Sequence, residues 1–145
     1  VSFSRQIRLS FAPPSIILIR VLVGCVFLSE GVQKFLFPAE IGAGRFAKIG
    51  LPSPEILASF VGATEIICGV LVLLGFLTRI AVIPLIIIML TAIVSTKIPI
   101  LLESGFWKMA HDSRTDFAML LCSIFLLING AGKWSLDARA FKRWT

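Results

Sequence analysis

Glu65 stands in the middle of an otherwise apolar run, Ile56 to Phe76. At about 1.5 Å per residue, a run of that length crosses the roughly 30 Å hydrocarbon core of a bilayer. A carboxylate at its centre costs about 2.5–3.5 kcal/mol even on mild insertion scales, and intramembrane ionisable groups are functional candidates by default. Something must face it: a protein cation, a proton or a ligand. Arg20, Glu30 and Lys34 are the chain's own candidates. The chemistry such a cluster offers is proton holding and release, or a hydrogen bond to a ligand oxygen.

Other chemistries lack their residues. A single histidine, His111, leaves no bis-His haem ligation and no histidine-rich metal site. No dinucleotide-binding, Walker or nucleophile-elbow pattern occurs. Cys25, Cys68 and Cys122 fall in three different apolar segments and form no CxxC pair, so they read as small buried hydrophobes. Any redox reaction therefore needs a borrowed cofactor, a diffusible quinone or a partner subunit.

The elements that must position the cluster follow from composition. Of 145 residues, 57% are hydrophobic and 15% charged, with a mean hydropathy of +0.97. Soluble proteins carry about 25% charged residues, so the chain reads as an all-α integral membrane protein, a four-helix bundle forming one domain over residues 1–145. The spans are expected over Ser15–Phe37, Glu55–Phe76, Arg79–Ile98 and Thr115–Ala131, the last the shortest. A short amphipathic tail follows over 135–145. The N-terminal basic arm and first apolar run look like a signal peptide, but the run is too long and lacks a small-x-small site, so it reads as an uncleaved span. The net charge of +6 belongs to span-flanking residues rather than to a nucleic-acid surface. Arg5, Arg8, Arg79, Lys133, Arg139, Lys142 and Arg143 fall on one side of the membrane; Lys34, Arg45, Lys48, Lys97, Lys108 and Arg114 fall on the other. That small excess places both termini in the cytoplasm and the chain, multi-pass, in the cell (inner) membrane.

Local signals mark the joints. Phe37-Pro38 ends span one, and the glycine-containing loop after it holds a short interfacial helix around Gly44–Ile49. Ser53-Pro54-Glu55 reads as a capped start of span two, and Thr78 as the cap of span three. Pro99 is expected to end span three. Leu101 to Ser113 reads as a loop with Trp107 anchored at the interface. Ser113-Arg114-Thr115-Asp116 fits a capping box for span four, which makes Asp116 a capping acid first and, like His111, a secondary site candidate. Trp134 and Trp144 fall at headgroup level.

Helical periodicity puts Arg20, Gly24, Phe27, Gly31 and Lys34 on one face of span one, with Glu30 beside Lys34 as an i,i+4 partner. Ala58, Gly62, Glu65 and Gly69 share a face of span two. Small residues on both faces let the backbones approach closely, so the polar groups lie where the helices pack. Measured from span midpoints, Arg20 is about 9 Å from the depth of Glu65, within reach of a long side chain, whereas Lys34, about 12 Å away, favours snorkelling to the interface. Arg20–Glu65 is the expected pair.

These landmarks, in order and spacing, resemble the DoxX family of small four-span membrane proteins. The residues concerned are Arg20, Gly24-x-x-Phe27 and Glu30-Gly31-x-x-Lys34, then Gly50-Leu51-Pro52-x-Pro54 and Glu65-x-x-x-Gly69. Gly75-Phe76-Leu77-Thr78-Arg79 follows, and Gly130-Ala131-Gly132-Lys133-Trp134-Ser135-Leu136-Asp137 closes the set. The resemblance runs from about Ser15 to Ala138. It implies a four-helix membrane bundle with Arg20, Glu30, Lys34, Glu65 and Arg79 as its polar core. It also implies an association with quinol oxidase, thiosulfate–quinone oxidoreductase or thiol-stress oxidoreductase complexes.

Two functions fit. In one, the chain is a small subunit of a quinone-linked or thiol-stress membrane oxidoreductase complex, Glu65 gating a proton or meeting a quinone carbonyl while Arg20 tunes it. In the other, the bundle is a non-catalytic membrane protein that holds a lipid, a hydrophobic ligand or a partner subunit, and the charges are structural. Either function implies a homo-oligomer or a larger membrane complex. A transporter fits less well, since no inverted repeat is visible.

Overall fold

The computed structural model describes residues 13–142. Arg5, Arg8, Arg143 and Trp144 lie outside the described residues. The described chain is helical, in the order α1 (Ile16–Leu36), α2 (Ala43–Lys48), α3 (Pro54–Leu74), α4 (Thr78–Ala92), a π-helical turn (Ile93–Lys97), α5 (Ile98–Ser104), α6 (Phe106–Asp112), α7 (Arg114–Asn129) and α8 (Leu136–Lys142). Three helical stretches among the described residues are long and apolar enough to cross a membrane: α1, α3, and the continuous 27 residues from Thr78 to Ser104. The fourth long helix, α7, has 16 residues. The protein is a membrane helical bundle, with side chains such as Leu18, Ile56, Phe60 and Ile128 turned outwards.

α1 and α3 form the most extensive contact, α4 packs next most closely on α7, and α3 joins α4. The glycines set the first of these contacts. A Cβ on Gly31 would lie 2.7 Å from the Gly62 carbonyl oxygen, and one on Gly69 would lie 3.0 Å from the Gly24 carbonyl oxygen. Seven residues separate the glycines on each helix, so two touching points recur two turns apart along one seam. Val23, Phe27, Val72, Val82, Leu85 and Leu126 fill the interior.

Several helix boundaries depart from the sequence reading. Pro99 does not end the third span: it occupies the first turn of α5, and the helix continues to Ser104. A proline has no N–H for the carbonyl four residues back and crowds it, so the preceding turn opens into the π turn instead of stopping. The expected loop from Leu101 to Ser113 is largely helical, broken at Gly105 (φ 85°). Ser53 makes no side-chain cap and adopts φ 43°. Thr78 does not cap its helix either. That task falls to Asp137, whose carboxylate accepts the backbone N–H groups of Leu77 (2.9 Å) and Thr78 (3.2 Å). Ser113 likewise makes no side-chain cap for α7, so the capping box does not form.

Candidate functional site

The bundle has two polar ends. α1 and α4 run from the end where the described residues begin and finish, the termini end, to the end that carries α2, α5 and α6; α3 and α7 run back. Arg20 and Arg79 belong to the termini end, whereas Glu30, Lys34 and Glu65 belong to the loop end. The five residues expected to form one polar core are therefore divided.

The Arg20–Glu65 pair does not form. Glu65 Oε2 meets Lys34 Nζ at 2.7 Å, with side chains 4% and 9% exposed respectively. The reason is directional. A helical side chain leans towards the N-terminus of its own helix. On antiparallel α1 and α3, that lean carries Lys34 inwards from the loop end and Glu65 outwards to meet it. The same lean carries Arg20 away from Glu65. Distances from span midpoints omit this tilt, which is why Lys34 looked like a snorkelling residue. Nor does Lys34 pair with the Glu30 carboxylate; its ammonium also approaches the Glu30 backbone carbonyl at 3.4 Å.

Arg20, 2% exposed, spends its donors on carbonyls. Nε donates to Val72 O at 3.0 Å, Nη2 to Leu73 O, and Nη1 to Ala131 O (3.2 Å) and Trp134 O. Val72 and Leu73 end α3, where helical carbonyls lack intrahelical partners. Gly75 closes that helix in the left-handed region (φ 67°), and a Cβ there would strike the Arg20 guanidinium at 2.7 Å. Asp137 N–H donates to Gly75 O at 2.9 Å. One guanidinium thus joins α1, the end of α3 and the strap between α7 and α8, while Asp137 caps α4. Arg79 donates to Ile128 O at 2.9 Å in the same region.

The loop end holds a cavity of about 490 Å³, in the size range of small-molecule sites. Phe27, Ile87, Met89 and Met119 are among its apolar walls, and Arg45 and Phe46 of α2, with Ile49 just after it, border it. Glu30, Lys34 and Glu65 line one side. A second ion pair, Lys97–Asp116 at 2.9 Å, lines it too, together with Ser95 and Thr96 of the π turn. Asp116 thus serves the cavity rather than a cap. Sequence reading placed Lys97 among the flanking cations; the signal that could have found it is Pro99 two residues on, which opens the turn. Asp112 also borders the cavity, held by Lys108 at 2.9 Å. That ion-paired hydrogen bond keeps the Asp112 carboxyl below the usual aspartate range. His111 is exposed and does not line the cavity. Among the described residues no group of His, Cys, Asp and Glu could hold a metal ion.

A protein-family model, DoxX, matches residues 15–98. The chain belongs to the DoxX family. The match takes in Arg20, both glycine pairs, Lys34 and Glu65. The chain is 55% identical over 139 residues to the uncharacterized membrane protein Rv3486 of Mycobacterium tuberculosis, covering 92% of this chain and 85% of that protein. It is 34% identical over 126 residues to a Bacillus subtilis protein named "Putative oxidoreductase CatD", covering 87% of each. A Haemophilus influenzae protein is 27% identical over 136 residues, covering 92% of this chain and 96% of its own length. No solved structure matches.

Proposed function

We propose that this DoxX-family membrane protein holds a quinone-class ring in its loop-end cavity and serves as a small subunit of a membrane oxidoreductase complex. The observation that carries the reading is Lys34–Glu65 lining an apolar-walled cavity of about 490 Å³. The apolar walls suit a flat ring, the Lys34 ammonium suits a ring oxygen, and Glu65 can keep or return a proton beside it. When bound, the ring supplies the electron chemistry; the chain binds it, orients it and shields it from water. Lys34 takes over the role expected of Arg20, which is committed elsewhere. The oxidoreductase in the name of the Bacillus relative supports the same direction. The protein works in the cell membrane with both termini in the cytoplasm.

The alternative, that Lys34–Glu65 only staples α1 to α3, is disfavoured by the glycine seam, which already brings those backbones into contact. Replacing both members of a buried pair by apolar residues is often neutral or stabilising. The double variant Lys34→Met/Glu65→Leu is therefore expected to melt like the wild type. In native mass spectrometry, mildly solubilised wild type is expected to retain a quinone mass that this variant and Glu65→Gln both lose. A wild type that carries only lipid, or a double variant that keeps the quinone, overturns the assignment.

A further inference from the structure

The two most extensive helix contacts, α1 with α3 and α4 with α7, each carry an ion pair at the loop end. Lys34 of α1 meets Glu65 of α3; Lys97, closing the π turn that continues α4, meets Asp116 in the first turn of α7. α3 also packs on α4, and α1 touches α7 more lightly, so the helices follow one another round the bundle as α1, α3, α4, α7. The two couples, and with them the two ion pairs, form opposite walls of the cavity that all four residues line. α1 and the stretch from Thr78 to Ser104 run in the same direction, so both lysines lean back from the loop end into the cavity. Lys97 is 12% exposed and its carboxylate partner 26%. An ammonium has three donors, so Lys97 can keep Asp116 and still offer an N–H to the cavity.

We propose that Lys97 is a specificity-determining residue of this cavity, donating to a ligand oxygen at the ring edge opposite the one that Lys34 meets. The proposal rests on the ring-binding reading above. Asp116 is a positioning residue that aims the Lys97 ammonium. A flat apolar ring with oxygen acceptors on two opposed edges engages both walls, and a ring with one oxygen engages one. The π turn gives Lys97 this place: because Pro99 follows, the helix widens at the cavity wall, and such turns recur at functional sites.

The test compares two probes on the full chain in lipid nanodiscs by equilibrium dialysis: 2-methyl-1,4-naphthoquinone, with two opposed carbonyls, and 2-methyl-1-tetralone, with one. Wild type is expected to hold the two-carbonyl probe about tenfold more tightly, the worth of one charge-assisted hydrogen bond. Lys97→Met is expected to bind both probes with equal affinity, and Lys97→Arg to restore the preference. Lys97→Gln keeps a polar contact to Asp116 and serves the same comparison should Lys97→Met not fold. A preference as large in the neutral variant as in the wild type overturns the role of Lys97 and leaves the cavity assignment standing. A wild type that binds neither probe overturns both.

Discussion

Arg20 and Lys34 stand about four turns apart on the same helix, and both are removed from water. Arg20 meets four backbone carbonyls and sits against Gly75, where there is no room for a methyl group. Its planar fork is suited to joining several fixed acceptors. Lys34 meets one carboxylate, and the pair faces a cavity. A lysine keeps three rotatable donors on a flexible stem. The same helix therefore carries a closed lock at one end and an open site at the other. A buried charge inside a membrane protein does not by itself announce chemistry. What separates the two ends is how many of the donors the partners engage and whether space remains beside them.

The strongest way to break that comparison is at the lock. Arg20→Met leaves the carbonyls of Leu73, Ala131 and Trp134 without this donor, while Val72 O keeps the Gly75 N–H at 3.1 Å, and each buried unsatisfied acceptor costs about 1–3 kcal/mol. A loss of at least about 3 kcal/mol is expected in equilibrium unfolding by detergent titration. A variant as stable as wild type would show that the termini end is not held by this residue. Next comes the seam between the ends. A Cβ at Gly31 would also lie 3.0 Å from Glu65 Cβ, so Gly31→Ala must part α1 from α3 beside the ion pair. Overpacking of this kind costs about 1–3 kcal/mol. The same titration should show it, while the outward-facing Leu18→Ala stays within about 0.5 kcal/mol. Equal effects at the two positions would mean that the glycines do not set the helix spacing.

Much of this arrangement was legible in the chain, for reasons that also explain the misreadings. Hydropathy located the three helical stretches long and apolar enough to cross a membrane, because lipid demands long apolar helices, and the glycine spacing located the seam. The short helix between the first two spans was expected over Gly44–Ile49 and lies at Ala43–Lys48. Glu65 was correctly placed at a packed face. Its partner was not, since depth along an axis says nothing about the lean of a side chain. Asp137 could not be read as the cap of α4 because it comes from 59 residues away, whereas capping patterns in sequence are local. Pro99 was read as a stop because an isolated helix has no neighbours to hold a widened turn in place.

The smallest effect lies at the mouth of the open end, where Asp112 borders the cavity and binds Lys108. Its carboxyl is held below the ordinary aspartate value, first by the hydrogen bond from Lys108 and further by the charges of Lys108, His111 and Lys97, against a smaller opposing effect of desolvation. A folded-state pKa below the unfolded one means that the contribution to stability is present above the ordinary aspartate value, near 3.9, and fades as pH falls through the depressed one. Lys108→Ala is expected to lower the melting temperature slightly at neutral pH. Below the ordinary aspartate range the gap between variant and wild type should narrow and then vanish. A gap for Lys108→Ala that persists unchanged into acid would mean that the side chain acts there through packing rather than through its bond to Asp112.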